Sequence, residues 1–358
     1  MTAREAKELR IWCEAERGRK SKYCDHVPLF RQSAMLERET GLELSRVTLC
    51  GWVTAVGELL MAIVGAMRRE LLSVGYIQAG ETPVDVQSER TKGKNHQAYL
   101  CQYSRPGGPV VFDFHLDRGR QGPRQFLGEF AGILQTDGYA GYGKVGGKDM
   151  VHAGCWAHVR RYFFQAVQLN RRDLPALGIV AEIDKLFELE AEAKAAGLGA
   201  AERLGLRREK AEPIVEGLKE GIESARVSTL PRSALGKACD YALGRWGPLS
   251  RFLEYGQLEL SNNLAENAIR PIAIGRKNWL HVGSERAGPR VAAIISIVES
   301  CRRLNMRVRN YLASVLPGLA DFPINRIGEL TRLPGPLEPD YPASKSAVAA
   351  NFRLSFFR

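Results

Sequence analysis

The chain has 358 residues, long enough for two or three domains that each bury a core. Hydrophobic residues make up 45% and charged residues 25%, the balance of a soluble globular protein. The formal net charge of +11 favours a polyanion as partner, and nucleic acid over an anionic membrane face, because no membrane signal accompanies it.

The opening Met1-Thr2-Ala3-Arg4-Glu5 lacks the apolar core of a signal peptide, so the chain is expected in the cytoplasm. From Tyr23 to about Ser73 the apolar spacing is helical, with Trp52, Val53, Val56, Leu59, Leu60 and Ile63 in one stripe. Residues 44–49 followed by Gly51-Trp52-Val53 read as two helices joined by a tight turn, either a DNA-reading helix-turn-helix or a plain hairpin. The longest apolar run, residues 59–67, falls short of the roughly 18 that span a membrane, so no membrane association is expected.

The period then changes to two. Residues 76–86 read as a strand with Pro83 near its end, and residues 96–103 and 109–115 as a hairpin about Arg105-Pro106-Gly107-Gly108. Residues 123–130 form a short helix, 132–137 a buried strand ending in an acid, 150–154 a fifth strand and 156–169 an amphipathic helix. Three strands, a helix, a strand, a loop, a strand and a helix is the order of an RNase H-like α/β fold. The expected organisation is a helical segment over 1–75, a core with a mixed five-stranded sheet over 76–170 and a helical insertion over 171–260. A core helix with a basic region follows over 261–310, then a partly loose end over 311–358. Within the insertion, the Ala- and Glu-rich runs 180–196 and 200–226 suggest a helical pair or bundle.

Several residues carry possible chemistry. Asp137 closes a buried strand, where an acid is costly unless it meets a cation or donors, but an Asp before Gly138 is also ordinary turn chemistry. Glu266 stands three residues after Asn263, close to a capping-box pattern, and equally suits a metal-binding carboxylate on the first turn of a helix. Arg270, Arg276, Lys277, Arg286 and Arg290 continue into further arginines with few acids among them, and Trp279 sits within that stretch. Cations contact phosphates and aromatic rings stack on unpaired bases, so this region is the expected DNA surface, joined by Arg160 and Arg161. Cys155-x-x-His158, with His152 nearby, has zinc-ligand spacing, but a structural site needs four ligands, and packing is the simpler reading. The seven cysteines contain no CxxC pair and read as free thiols.

Taken together, Ile77-Gln78-Ala79-Gly80-Glu81-Thr82-Pro83-Val84, Leu134-Gln135-Thr136-Asp137-Gly138-Tyr139, Cys155-Trp156-Ala157-His158-Val159-Arg160-Arg161, Asn262-Asn263-Leu264-Ala265-Glu266-Asn267 and Gly275-Arg276-Lys277-Asn278-Trp279 resemble the transposase family of insertion sequence sixty-six. The likeness runs from about Lys20 to about Leu330. It implies cleavage and transfer of DNA strands by a DDE mechanism, in which two aspartates and a glutamate hold two Mg²⁺ ions that clamp the attacking and leaving oxygens. On that reading Asp137 and Glu266 are catalytic, metal-binding residues, DNA ends and target are the partners, and copies assemble into a homo-oligomer.

The chain departs from the family twice. The family motif reads Ala-Asp-Glu-Thr-Pro, and the Asp position here is Gly80. Glu81 is adjacent but strand alternation turns it to the other face, and Asp85 lies roughly 17 Å further along an extended strand. Little or no cleavage is therefore expected, which leaves a non-catalytic DNA-binding or oligomerising remnant as the alternative. The family's cysteine-rich, DNA-recognising region upstream also has no counterpart in residues 1–19, as in a truncated copy whose recognition of terminal repeats is in doubt.

Overall fold

Strand β1 (Tyr76–Gln87) is the spine of the sheet, and its first half is buried on both faces. From Glu81 on, alternate residues turn towards solvent, the half-buried pattern of a strand leaving its cover. The computed structural model describes residues 22–88 and 94–331. On one side of β1, β2 (Asn95–Ser104) and β3 (Val110–His115) pair antiparallel in a meander turned at Gly107, whose φ of 68° suits glycine. On the other side, β4 (Ile133–Gln135) and β5 (Val151–Ala153) run parallel, giving the order β3-β2-β1-β4-β5. A two-residue β6 (His281–Val282), too short to leave an alternating signal, pairs with the far end of β1. The chain is an α/β protein on a mixed sheet with many helices.

Helix α1 (Leu29–Thr40) ends on Gly41 at φ 69°, and α2 (Arg46–Leu72) begins at Ser45, whose hydroxyl accepts from Thr48 N at 3.1 Å. The turn is therefore at 41–45, and the tight turn expected around residues 49–51 is absent: α2 runs unbroken through Gly51. A glycine inside a helix costs about 1 kcal/mol, and burial of Leu49, Val53, Val56, Leu60 and Ile63 along the same helix outweighs it. Read as a whole, α2 is also long and apolar enough to cross a membrane by length and composition, which the nine-residue window of the sequence concealed. Its buried side packs on α11 (Ala287–Arg303), and core helices of globular proteins meet the same test.

After β3 comes α3 (Gln121–Leu127), earlier in the chain than the expected 123–130. Beyond β5, α4 (Trp156–Leu169) and α5 (Leu174–Ala195) lead into α6 (Ala200–Leu206), a π-helical turn at Arg207–Ala211 and α7 (Glu212–Val227). Helices α8 (Ala234–Leu243) and α9 (Trp246–Ser250) precede α10 (Asn263–Trp279), and α12 (Val308–Val315) follows α11. Two apolar cores result. The first joins the sheet to α2 and α11, and the second gathers α4, α5, α7 and α8 against the β4–β5 edge.

Candidate functional site

Strand β4 stops at Gln135, and Asp137 follows in a turn with Gly138 at φ 87°. One Asp137 oxygen, Oδ1, accepts from Tyr139 N at 2.9 Å, so the acid does serve its turn while staying half-exposed. Two side chains of α8 and its end grip this turn from the helical side. Tyr241 donates its hydroxyl to Asp137 O at 2.5 Å, and Arg245 Nη2 donates to Gly138 O at 3.1 Å. Arg245 lies over the Tyr241 ring at 4.2 Å, and Tyr241 stacks on Tyr162 of α4 at 4.3 Å.

The parallel ladder of β1 and β4 ends at Gln78↔Gln135, and continuing that register by two residues sets Gly80 abreast of Asp137. A Cβ built on Gly80 would point at Ile269 Cδ1, 3.2 Å away on α10. Ile269 lies three residues after Glu266, hence on the same side of that helix. Glu81 points away from this face, as strand alternation requires. Its buried carboxylate takes Arg118 Nη2 at 2.7 Å, and Arg118 in turn lies 3.9 Å over the Tyr139 ring. Burial, with the Asp137 charge, pushes the Glu81 carboxyl up despite Arg118. Asp85 is exposed near the far end of β1.

Glu266 sits in the first turn of α10, whose N-cap is Asn262 rather than Asn263, with no capping hydrogen bond from its side chain. The capping-box alternative is therefore not formed. The Glu266 carboxylate turns instead to α4, meeting His158 Nε2 at 2.9 Å and Arg161 Nη2 at 3.2 Å. His158 holds the carboxyl below its ordinary range, against the opposing effect of burial. For His158 itself, burial lowers the pKa but hydrogen bonds to Cys155 and Glu266 raise it to about 10, so the pair is ionic at neutral pH. Sequence reading gave neither His158 nor Tyr241 and Arg245 such a role. A signal existed for the first: His158 and Arg161 are spaced i, i+3 on one helix face and converge on one acid.

Beside Glu266, a cleft of about 860 Å³ opens between α4, α5 and α10, with Arg160, Arg161, Phe164, Asn267 and Arg270 on its walls. Arg160 is tied to Asp184. Among the other cations expected to meet DNA, Arg270, Lys277 and Arg286 are exposed. Arg276 is half-buried and donates to Thr82 Oγ1 at 3.0 Å and to Pro83 O, and Arg290 pairs with Glu58. Trp279 is buried, edge-on to Tyr23 at 6.0 Å, so its ring is not offered to solvent.

Cys155 is buried at the start of α4, and Cys50, Cys101, Cys155, Cys239 and Cys301 are free thiols. Among the described residues, no three His, Cys, Asp or Glu side chains gather closely enough to hold a metal ion. Position 80 supplies no oxygen and both Glu266 oxygens are engaged by cations, so the donors present do not complete a two-metal centre.

Fold and site together define an α/β protein with an acid in the turn after β4 and a helix-borne glutamate held by a histidine and an arginine. The profile of the Transposase IS66 family matches residues 20–290, and the chain belongs to that family. It is 32% identical over 331 residues to uncharacterized protein y4hP of Sinorhizobium fredii, covering 86% of this chain and 59% of that protein. Against y4qI of the same organism it is 32% identical over 337 residues, 89% of this chain and 61% of the relative. Against y4jD it is 30% identical over 310 residues, 83% and 60% respectively. The chain thus spans about three fifths of the length of these relatives.

Proposed function

We propose that this chain is a transposase of DDE ancestry on an RNase H-like core, binding DNA but deprived of cleavage by the loss of its first carboxylate. One observation supports the reading: position 80 faces α10 one turn from Glu266, and the β1–β4 register, carried two residues past its last pair at Gln78↔Gln135, would set it level with Asp137. These are the three positions that the resemblance assigns to the acids, drawn from a strand interior, a strand end and a helix far apart in sequence. The strand order β3-β2-β1-β4-β5, with the first three antiparallel and the rest parallel, supports the core assignment.

A complete set of three carboxylates would hold Mg²⁺ ions that polarise a phosphodiester. With Gly at 80 the set is short by one charge, and no cleavage step is derived from it. What the chain's own residues can do is bind. Exposed Arg270 and Lys277 on α10 and Arg286 at the start of α11 offer charge to phosphates. The missing acid favours a second reading, a DNA-binding protein without chemistry.

The deciding experiment is nicking of supercoiled DNA by the parent and by Gly80→Asp, with and without Mg²⁺. Only Ile269 Cδ1 approaches the new Cβ, and the end of a flexible side chain can move, so the strand should accept the substitution. Nicking by the variant alone, dependent on Mg²⁺, is the expected result. A folded variant that binds DNA without gaining cleavage leaves only the second reading.

A further inference from the structure

Beneath α10 the buried sheet carries polar side chains where apolar ones would be ordinary: Gln78 and Thr82 of β1, Gln102 and Ser104 of β2, and Gln135 of β4. Three of the five have clear partners. Gln78 Nε2 donates to Gln135 Oε1 and to Ser261 O, both at 3.0 Å, and Gln135 Nε2 donates to Gly154 O at 2.8 Å and Glu259 O at 2.7 Å. Thr82 Oγ1 accepts from Arg276. Gln102 and Ser104 are wholly buried without partners: neither Gln102 Nε2 and Oε1 nor Ser104 Oγ has one, and Gln78 Oε1 is idle as well. Only Gln102 has both a donor and an acceptor idle on an amide opposite Gly80. Each such idle buried group destabilises the fold, because it gave up water without gaining a partner.

Gln102 is the antiparallel ladder partner of Gly80, so both point to the same face of the sheet. Side chains so paired stand about 4.5–5.5 Å apart at Cβ, within reach of a hydrogen bond from a glutamine amide to an aspartate. We infer that Gln102 is a positioning residue for a carboxylate at position 80, a claim that rests on reading that position as the first acid. Its Nε2 donates to one carboxylate oxygen and leaves the other free towards α10. Glycine at 80 strips the amide of the acceptor it was set beside.

Four full-length proteins test this: the parent, Gln102→Leu, Gly80→Asp and the double variant. In the parent, Gln102→Leu removes only idle polar atoms and should raise the thermal unfolding midpoint. In Gly80→Asp the same change removes a donor to a buried acid and should lower it. Lost support of this kind typically weakens metal affinity about tenfold or more, so Mn²⁺ binding by Gly80→Asp should weaken correspondingly in the double variant. An effect of one sign in both backgrounds, or measurable Mn²⁺ binding by Gly80→Asp that Gln102→Leu leaves unchanged, overturns the inference. Should Gly80→Asp fail to fold, Gly80→Asn with and without Gln102→Leu supplies the same sign comparison. Sign reversal without any Mn²⁺ binding or nicking by Gly80→Asp counts against the two-metal reading and leaves Gln102 in its role.

Discussion

Gly138 has two reasons to be glycine: its φ of 87° lies where side chains are strained, and a Cβ there would come 2.1 Å from Arg245 Nε. Gly138→Ala should therefore lose about 1–3 kcal/mol, read from denaturant unfolding, with exchange of the Tyr139 and Tyr142 amides rising as the turn loosens. Gly178 in α5 is the control. Nothing lies within 4 Å of a Cβ there, and Gly178→Ala should gain up to about 1 kcal/mol from helix propensity. Equal losses at the two positions would mean that the Tyr241–Arg245 grip does not hold the Asp137 turn. Asp137 fits the turn reading, since one oxygen accepts from Tyr139 N, and its carboxylate remains half-exposed.

At the scale of elements, the helical insertion is tied together by an ion network that sequence could not announce. Arg207, in the π-helical turn, is buried. It donates to Glu190 of α5 and to the carbonyls of Phe252 at 2.9 Å, Tyr255 at 3.0 Å and Leu258 at 2.8 Å, while Arg203 meets Glu190 at 2.7 Å. Burial alone would raise the Glu190 carboxyl, but Arg207 and Arg203 outweigh it and hold it below the ordinary range. Glu190→Gln leaves the buried Arg207 charge with carbonyl acceptors alone and Arg203 with Glu259 alone, and should cost about 3 kcal/mol at neutral pH. A depressed folded pKa stabilises above the unfolded value, about 4.3, and the gain is lost as pH falls through the folded one. The gap in unfolding free energy between parent and variant should thus be full near neutrality and close on acidification, and a gap that widens in acid would refute the assignment. The long strands and the helices around them were legible because a period of 2 or 3.6 recurs often enough to read. The tight turn expected between residues 49 and 51 does not form because the chain turns at 41–45 and the Ser45 cap starts a helix that runs through Gly51, and β6 is too short to carry a period. At the site, Asp137 and Glu266 stood out as acids beside local turn or cap signals. Their partners His158, Tyr241 and Arg245 did not, because each reaches across from an element whose placement only the tertiary fold decides.

At the scale of the molecule, both acids lie where the two cores meet: Glu266 rides on a helix packed on the sheet, yet its carboxylate is held by α4 of the helical core. The net charge of +11 is spread over a surface on which many arginines are already spent. Arg160, Arg161 and Arg290 pair with acids, and Arg276 braces the outer half of β1. Arg270, Lys277 and Arg286 are exposed, and they belong to α10 and the start of α11, the elements that carry or follow Glu266. Each phosphate contact steepens the fall of log K with log salt by about 0.9. Replacing these three with alanine should flatten that slope by up to about 3 and weaken binding alike on unrelated duplexes, measured by fluorescence anisotropy across a salt series. Arg276→Ala should instead lower the unfolding midpoint, because it leaves Thr82 and Pro83 without their donor, and should change the salt slope by less than one contact. If the triple variant keeps the parental slope, DNA runs over another face, and the stretch from Arg270 to Arg286 serves the fold alone.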